Sequence, residues 1–240
     1  MILDQHRAWV LDEGGWDAVY GNDRALKLCR AMTERAVASG DSLVSVLAGP
    51  SGVGKSLTAG LMSGAWGAFG RDCHEIESKT FDVSEARALK DACTGRKLYY
   101  PPIAIVIEEA DTATSNALAS LLTILERLNP GVLVVLTTNL DRLAFEALPY
   151  GNALTRRAHW VDFERPQATK NGGTEPAPII NALRNALQVA GLDGQPDEWY
   201  MPFLRGVGCA VRNRNSKGDA EGLNIGKAIL AAAEAAILAQ

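Results

Sequence analysis

The sequence predicts an α/β fold, a doubly wound parallel sheet carrying a P-loop, followed by a small all-helical lid domain. Three features carry that expectation. The runs Leu43-Val-Ser-Val-Leu47, Ile103-Ala-Ile-Val-Ile107 and Val132-Leu-Val-Val-Leu136 are nearly continuous in apolar, strand-favouring residues. This is how strands read when a parallel sheet is covered on both faces. Stretches with helical spacing separate them: Leu57 to Phe69 follows the first run, and Ala117 to Leu128 sets Leu118, Leu121, Leu122 and Leu125 on one stripe. Beyond a Gly-, Pro-, Thr-, Lys- and Asn-rich stretch from Gln167 to Pro178, the pattern becomes wholly helical.

Each element follows from local chemistry. A fourth strand is expected at Ala158-His-Trp-Val-Asp-Phe163, where apolar residues alternate. Ile180, Leu183 and Leu187 recur at helical spacing within Ile179 to Ala190. An alanine-rich helix with Ile225, Ile229 and Leu230 is expected over Gly222 to Gln240, and the polar stretch Arg212 to Gly222 before it is expected to be a loop. The resulting division is residues 1–166 as the α/β core, 167–178 as a linker and 179–240 as the helical domain.

Composition narrows the function classes. The 240 residues suit one nucleotide-binding core with an appendage, and the apolar share of 47% is enough for a core without disulfides. A net charge of −4 gives no global attraction to DNA or an anionic membrane, which leaves only local basic patches for such contacts. Cys29, Cys73, Cys93 and Cys209 lie far apart with no paired spacing, so buried thiols are expected in place of a zinc site or disulfide framework. The start shows no signal-peptide pattern and no apolar stretch reaches the roughly 18 residues of a membrane span. A reducing, cytoplasmic setting without membrane partners is the expectation. His6, His74 and His159 share no metal-like spacing, and no nucleophile elbow is present.

The chemistry concentrates in Gly49-Pro50-Ser51-Gly52-Val53-Gly54-Lys55-Ser56 with Leu57 behind it. This matches the P-loop pattern between a strand and a helix. Glycines let the backbone curl until consecutive N–H groups point at phosphate oxygens. Lys55 is expected to reach the β- and γ-phosphates of ATP, Ser56 to ligate Mg²⁺, and the helix that follows to aim its positive end at the same phosphates. The second strand ends in Glu108-Glu109. P-loop ATPases usually carry Asp then Glu there, the first for Mg²⁺ and the second to polarise the attacking water. Here Glu108 takes the metal position, one methylene longer and able to act through a bound water, and Glu109 is the candidate base. The third strand ends in Thr137-Thr138-Asn139, where Asn139 is placed to orient the lytic water. Ligands of open parallel sheets sit at the carboxyl ends of the strands, so Gly49, Glu109 and Asn139 are expected on one rim.

P-loop, acid-ended strand, Asn-ended strand, arginines before a further strand and a helical C-terminal part, in that order, resemble the AAA+ ATPase family from about Leu11 onward. Ala110-Asp111…Ala117-Leu-Ala-Ser-Leu121-Leu122-Thr-Ile-Leu125-Glu126 is most similar to the clamp-loader branch, whereas Thr137-Thr-Asn-Leu-Asp-Arg-Leu143 looks more like the protein-remodelling branch. The resemblance implies further roles. Trp16-Asp-Ala-Val19-Tyr20-Gly21-Asn22 corresponds to the adenine-side segment, making Val19 and Tyr20 nucleotide-binding. Arg157, or Arg156 in its stead, corresponds to an arginine that enters a neighbouring subunit's ATP site. Arg212 corresponds to an arginine that touches the γ-phosphate in cis. The implied activity is ATP hydrolysis by a ring or spiral homo-oligomer acting in DNA replication, recombination or transposition, with DNA or a DNA-bound protein as partner. The alternative is a remodeller or activator of another protein complex, and a nucleotide-dependent structural subunit is a third reading that Glu108 leaves open. Trp66, Phe69, Tyr99 and Tyr100 lack the aromatic–Gly setting of a threading pore loop. Lys90, Arg96 and Lys97 beside Tyr99 and Tyr100 read as a solvated loop or, less simply, as a face for DNA or a partner.

Overall fold

The computed structural model describes residues 2–68, 70–79, 81–94, 101–164, 176–192, 194–196, 198–200 and 225–238. In chain order the helices are α1 (Ile2–Trp9), α2 (Asp23–Ser39), α3 (Lys55–Trp66), α4 (Val83–Thr94), α5 (Ser115–Leu125), α6 (Arg142–Glu146), α7 (Gly151–Thr155), α8 (Pro176–Val189) and α9 (Ile225–Leu238). The strands are β1 (Leu43–Ala48), β2 (Cys73–Glu77), β3 (Ile103–Glu108), β4 (Val132–Thr138) and β5 (His159–Asp162). Two compact units result. One comprises Arg24–Pro50 and Thr58–Phe163, the other Met1–Asp23, Ser51–Leu57 and Glu164–Gln240.

The first unit is built on a five-stranded sheet in the order β2-β3-β4-β1-β5, with every pairing parallel. Every residue of β1 and β4 is buried, as is all of β3 but Glu108. That burial is the physical reason the three apolar runs are so unbroken. The stripe on α5 packs against the sheet through Leu118, Leu121, Ile124 and Leu125, joined by Phe81, Leu89, Phe145 and Leu154. Leu122, placed on that stripe from its spacing, is only partly buried. Helix starts are capped: the Thr114 hydroxyl accepts from the Ala117 N–H at 3.3 Å, and Asp141 accepts from the Ala144 N–H at 2.8 Å.

Among the elements of this unit absent from the sequence reading are β2 and α4, with α2, α6 and α7. β2 reads Cys-His-Glu-Ile-Glu and buries only Ile76, because it is an edge strand with one pairing partner. α4 hides its helical face behind three small or single apolar contacts, Ala86, Leu89 and Cys93. Lys90, expected in a loop, lies inside α4, whereas Arg96, Lys97, Tyr99 and Tyr100 lie outside the described residues.

The second unit holds α1, α8 and α9. Ile180, Leu183, Ala186 and Leu187 of α8 meet Ala228, Ile229, Ala232, Ala233 and Ala236 of α9, with Tyr200 and partly buried Leu3 against them. Leu230, grouped with Ile229 from sequence, is instead 43% exposed. α8 begins at Pro176, three residues ahead of the expected start, which suits proline as a first helical residue. Among the described residues no helix is long and apolar enough to cross a membrane.

Phe145 is fully buried and its ring lies 5.6 Å from that of Trp160. Phe145→Ala is expected to lower the unfolding free energy by about 3–5 kcal/mol. A urea titration should show the midpoint falling with an unchanged slope.

Candidate functional site

Parallel register decides where the polar strand ends go. Ala48 of β1 pairs with Thr138 of β4, and Ile107 of β3 pairs with Leu136, so all three carboxyl ends emerge on one rim. Gly49, Glu108, Glu109 and Asn139 therefore share that edge of the sheet, as the strand-end argument requires.

Thr137 organises the acid pair. Its hydroxyl donates to Glu108 Oε2 at 2.6 Å and accepts from the Glu109 N–H at 3.0 Å. Thr137 is 2% exposed and both bonds are partly buried, and the one to the carboxylate is of the short charge-assisted kind. Glu108 is half-buried and held in place, while Glu109 is exposed. Glu109 also has φ 54 and ψ 46, a left-handed backbone that is uncommon outside glycine and asparagine. Neighbours over-determine it: its carbonyl accepts from the Ser78 hydroxyl at 2.7 Å, the Thr112 hydroxyl at 3.0 Å and the Thr112 N–H at 2.8 Å. The hydroxyls of Ser78 and Thr112 also touch each other. A residue held this way has a fixed backbone and an accessible carboxylate, which is what a positioned general base needs.

The exits of β1 and β4 are tied together. The Gly49 N–H donates to the Thr138 carbonyl at 3.1 Å, and the Phe163 N–H donates to the Ala48 carbonyl at 2.7 Å. Gly49 has φ 148, and a Cβ there would lie 2.1 Å from the Phe163 carbonyl oxygen, so only glycine fits. Pro50 follows directly. Asn139 is exposed at the tip of β4, with its N–H donating to Asp111 Oδ1 at 3.2 Å.

The rest of the loop belongs to the second unit. Gly52 and Gly54 take φ 80 and 96 on either side of buried Val53, and Ser51 is exposed. Lys55 opens α3 and is 8% exposed, with Ser56 and Leu57 half-buried in the same turn. Val19 Cγ1 stands 3.7 Å from where a Cβ on Gly54 would be, and the Tyr20 hydroxyl accepts from Asn185 Nδ2 at 3.0 Å. A curled loop with a buried lysine at a helix start has the chemistry of a polyphosphate cradle.

Arg156 and Arg157 follow α7 and both are exposed. Arg157 is engaged within its own chain: Nη2 meets Glu126 Oε1 at 2.9 Å and Nη1 donates to the Ala153 carbonyl at 3.0 Å. Arg212 lies outside the described residues. Among those described, no cluster of three or more His, Cys, Asp and Glu side chains forms a metal cage. His6 is buried against Trp9, with ring centroids 6.1 Å apart, and burial holds its pKa below the usual range, the behaviour of a core histidine. Cys29 and Cys93 are buried and Cys73 half-buried, and burial pushes the Cys29 thiol up to about 12.

The ties that Thr137 makes to Glu108 and Glu109, and Asp111 to Asn139, were not read from sequence. A threonine two residues before the strand tip was visible, but its tie to Glu108 depends on the β3–β4 register, which no local pattern encodes.

Residues 45–159 match the model of the family described as "ATPase family associated with various cellular activities (AAA)". Solved structures share the fold. A RuvB mutant from Thermogota maritima aligns with a TM-score of 0.55 at 14% identity, covering 94% of this chain and 73% of that one. The FIGL-1 AAA domain in complex with ADP aligns with a TM-score of 0.51 at 18% identity, covering 92% and 84%. No curated protein matches the sequence significantly. The sheet-bearing segment is thus similar to AAA-type ATPase modules, which supports ATP hydrolysis, and its all-parallel strand order is that of the P-loop fold.

Thr137→Val keeps the shape and removes the hydroxyl that joins Glu108 to the Glu109 backbone. The rate of ATP hydrolysis should fall about 10-fold, less than the roughly 10²–10⁴ that outright loss of a positioned base costs. ADP affinity by calorimetry should stay within about 3-fold, and Thr137→Ser should recover most of the rate.

Proposed function

We propose that this ATPase is a ring- or spiral-forming AAA+ motor or switch acting in DNA replication, recombination or transposition. The observation that carries the reading is the exposed Arg156-Arg157 pair after α7 and directly ahead of β5, where the family resemblance implies an arginine for a neighbouring subunit's site. The similarity of α5, with its Leu121-Leu122…Leu125-Glu126 run, to clamp loaders favours DNA or a DNA-bound protein as the partner.

In this reading Gly49, Pro50, Ser51, Gly52, Val53, Gly54, Lys55, Ser56 and Leu57 hold the polyphosphate, and Val19, Tyr20 and Arg212 complete the nucleotide contacts. Ser56 and Glu108 supply a hydroxyl and a carboxylate, hard oxygen donors that suit Mg²⁺, which takes few protein ligands and fills its shell with water and phosphate. When bound, Mg²⁺ neutralises charge on the β- and γ-phosphate oxygens. Glu109 accepts the proton of the attacking water and Asn139 orients that water. The bond between the γ-phosphorus and the β–γ bridging oxygen breaks, leaving ADP and phosphate. Arg157, with Arg156 as its substitute, stabilises charge on the transferring phosphoryl group of a neighbouring subunit, a task suited to a guanidinium that forks onto phosphate oxygens.

Two experiments test this. Arg157→Ala should bind ATP normally yet lose on the order of 10³–10⁵ in turnover. Mixed after dilution with Glu109→Gln and reassembled with nucleotide, it should recover activity, because some interfaces then hold one intact acid and one intact arginine. A protein that sediments as a monomer at all concentrations with ATP and Mg²⁺ would remove the trans role.

The partner is tested by ATPase rates with and without single-stranded and primed DNA at two salt concentrations. Stimulation that weakens as salt rises is the expected signature of phosphate contacts. Rates indifferent to DNA at both salts would transfer the reading to remodelling of a protein complex.

A further inference from the structure

We infer that Asn22 is a positioning residue of the phosphate-binding loop, its carboxamide holding the Val53 carbonyl and clasping Glu164 at the same time. The inference rests on the nucleotide-binding reading above and adds to it a residue outside the P-loop motif.

Asn22 has φ 57, a left-handed backbone that asparagine tolerates better than other residues with a side chain. Its carboxamide pairs reciprocally with one backbone residue. Nδ2 donates to the Glu164 carbonyl at 2.9 Å, and the Glu164 N–H donates to Oδ1 at 2.7 Å. That pairing fixes which way the amide points, since the flipped amide would set donor against donor and acceptor against acceptor. With Oδ1 committed to Glu164, Nδ2 carries the second proton that reaches the Val53 carbonyl at 3.4 Å.

The last contact matters because of peptide geometry. Val53 lies between Gly52 and Gly54, whose φ values of 80 and 96 mark a backbone with little conformational preference of its own. The Val53 carbonyl and the Gly54 N–H belong to one trans peptide unit and point in opposite directions. Drawing the carbonyl toward Asn22 therefore turns the Gly54 N–H away from it and fixes the direction of one of the loop donors that a P-loop offers to phosphate. Val53 is 4% exposed, so its carbonyl has few alternative partners. The glycines make the curl possible, and Asn22 selects one orientation of it before a nucleoside polyphosphate arrives.

The test uses the full chain with two variants. Asn22→Asp keeps the backbone tolerance and the acceptor for the Glu164 N–H, but turns a charged oxygen onto two carbonyls. Asn22→Gly keeps φ accessible and deletes the clasp. ADP affinity by calorimetry, KM and kcat for ATP, and the thermal midpoint without nucleotide are measured for both. Each variant is expected to bind ADP roughly 10-fold more weakly and to raise KM for ATP by a similar factor, the effect of one misplaced buried hydrogen-bonding group. The value of kcat should fall much less than KM rises, because a preorganised loop serves ground state and transition state alike. The nucleotide-free midpoint of Asn22→Gly should move by only a few degrees. Wild-type ADP affinity in Asn22→Gly overturns the inference, and so does loss of cooperative melting in both variants, which would make the clasp a brace for the fold and not for the loop. A wild-type protein that itself fails to bind ADP would strike the nucleotide reading first, an outcome distinct from tight wild-type binding matched by the variants.

Discussion

Because β1, β3 and β4 run parallel in one register, their carboxyl ends come out on a single edge, and each can end in polar residues that would be intolerable one turn earlier. The strands themselves are sealed, with β1 and β4 buried along their whole length. Burial on both faces makes a slip of register expensive, since every side chain would change sides. That expense is what lets a hydroxyl on β4 meet a carboxylate on β3 at 2.6 Å without any covalent help. The polar chemistry at the rim is thereby aligned by an interior that contains almost none.

Around that edge, backbone conformation does as much as side-chain choice. Gly49 is required because the Phe163 carbonyl occupies the space of a Cβ, and Glu109 is held in a left-handed turn by three donors on its carbonyl. Unfavourable local geometry persists only where the surroundings over-determine it. Here the surroundings are Ser78 at the end of β2 and Thr112 just past β3, two residues that are ordinary by composition.

What was legible in the sequence follows from whether the signal is local. β1, β3 and β4 could be read to within a residue or two because complete burial leaves unbroken apolar runs. The P-loop was legible because its glycines, lysine and serine are consecutive. β2 and α4 were not, since an edge strand with one buried residue and a helix with a thin apolar face resemble loops. Thr137 and Asn22 are harder still. Their partners are 29 and 142 residues away, and a threonine or asparagine in isolation says nothing about which distant group it will meet. Local patterns reveal the elements and the reactive groups, and tertiary register supplies the residues that aim them.

The contact between Arg157 and Glu126 has a consequence for any assembly of subunits. Both side chains are substantially exposed, 37% and 48%, and surface ion pairs of this kind contribute roughly 0–1 kcal/mol. The ion pair thus holds the guanidinium only weakly, and the hydrogen bond to the Ala153 carbonyl at 3.0 Å adds a second modest tether that gives it a defined resting place. Ionic strength would then act on the two partners unequally, loosening the exposed resting contact more than one enclosed between proteins. A side chain held this way is ordered at rest and still open to exchanging its partner for another anion.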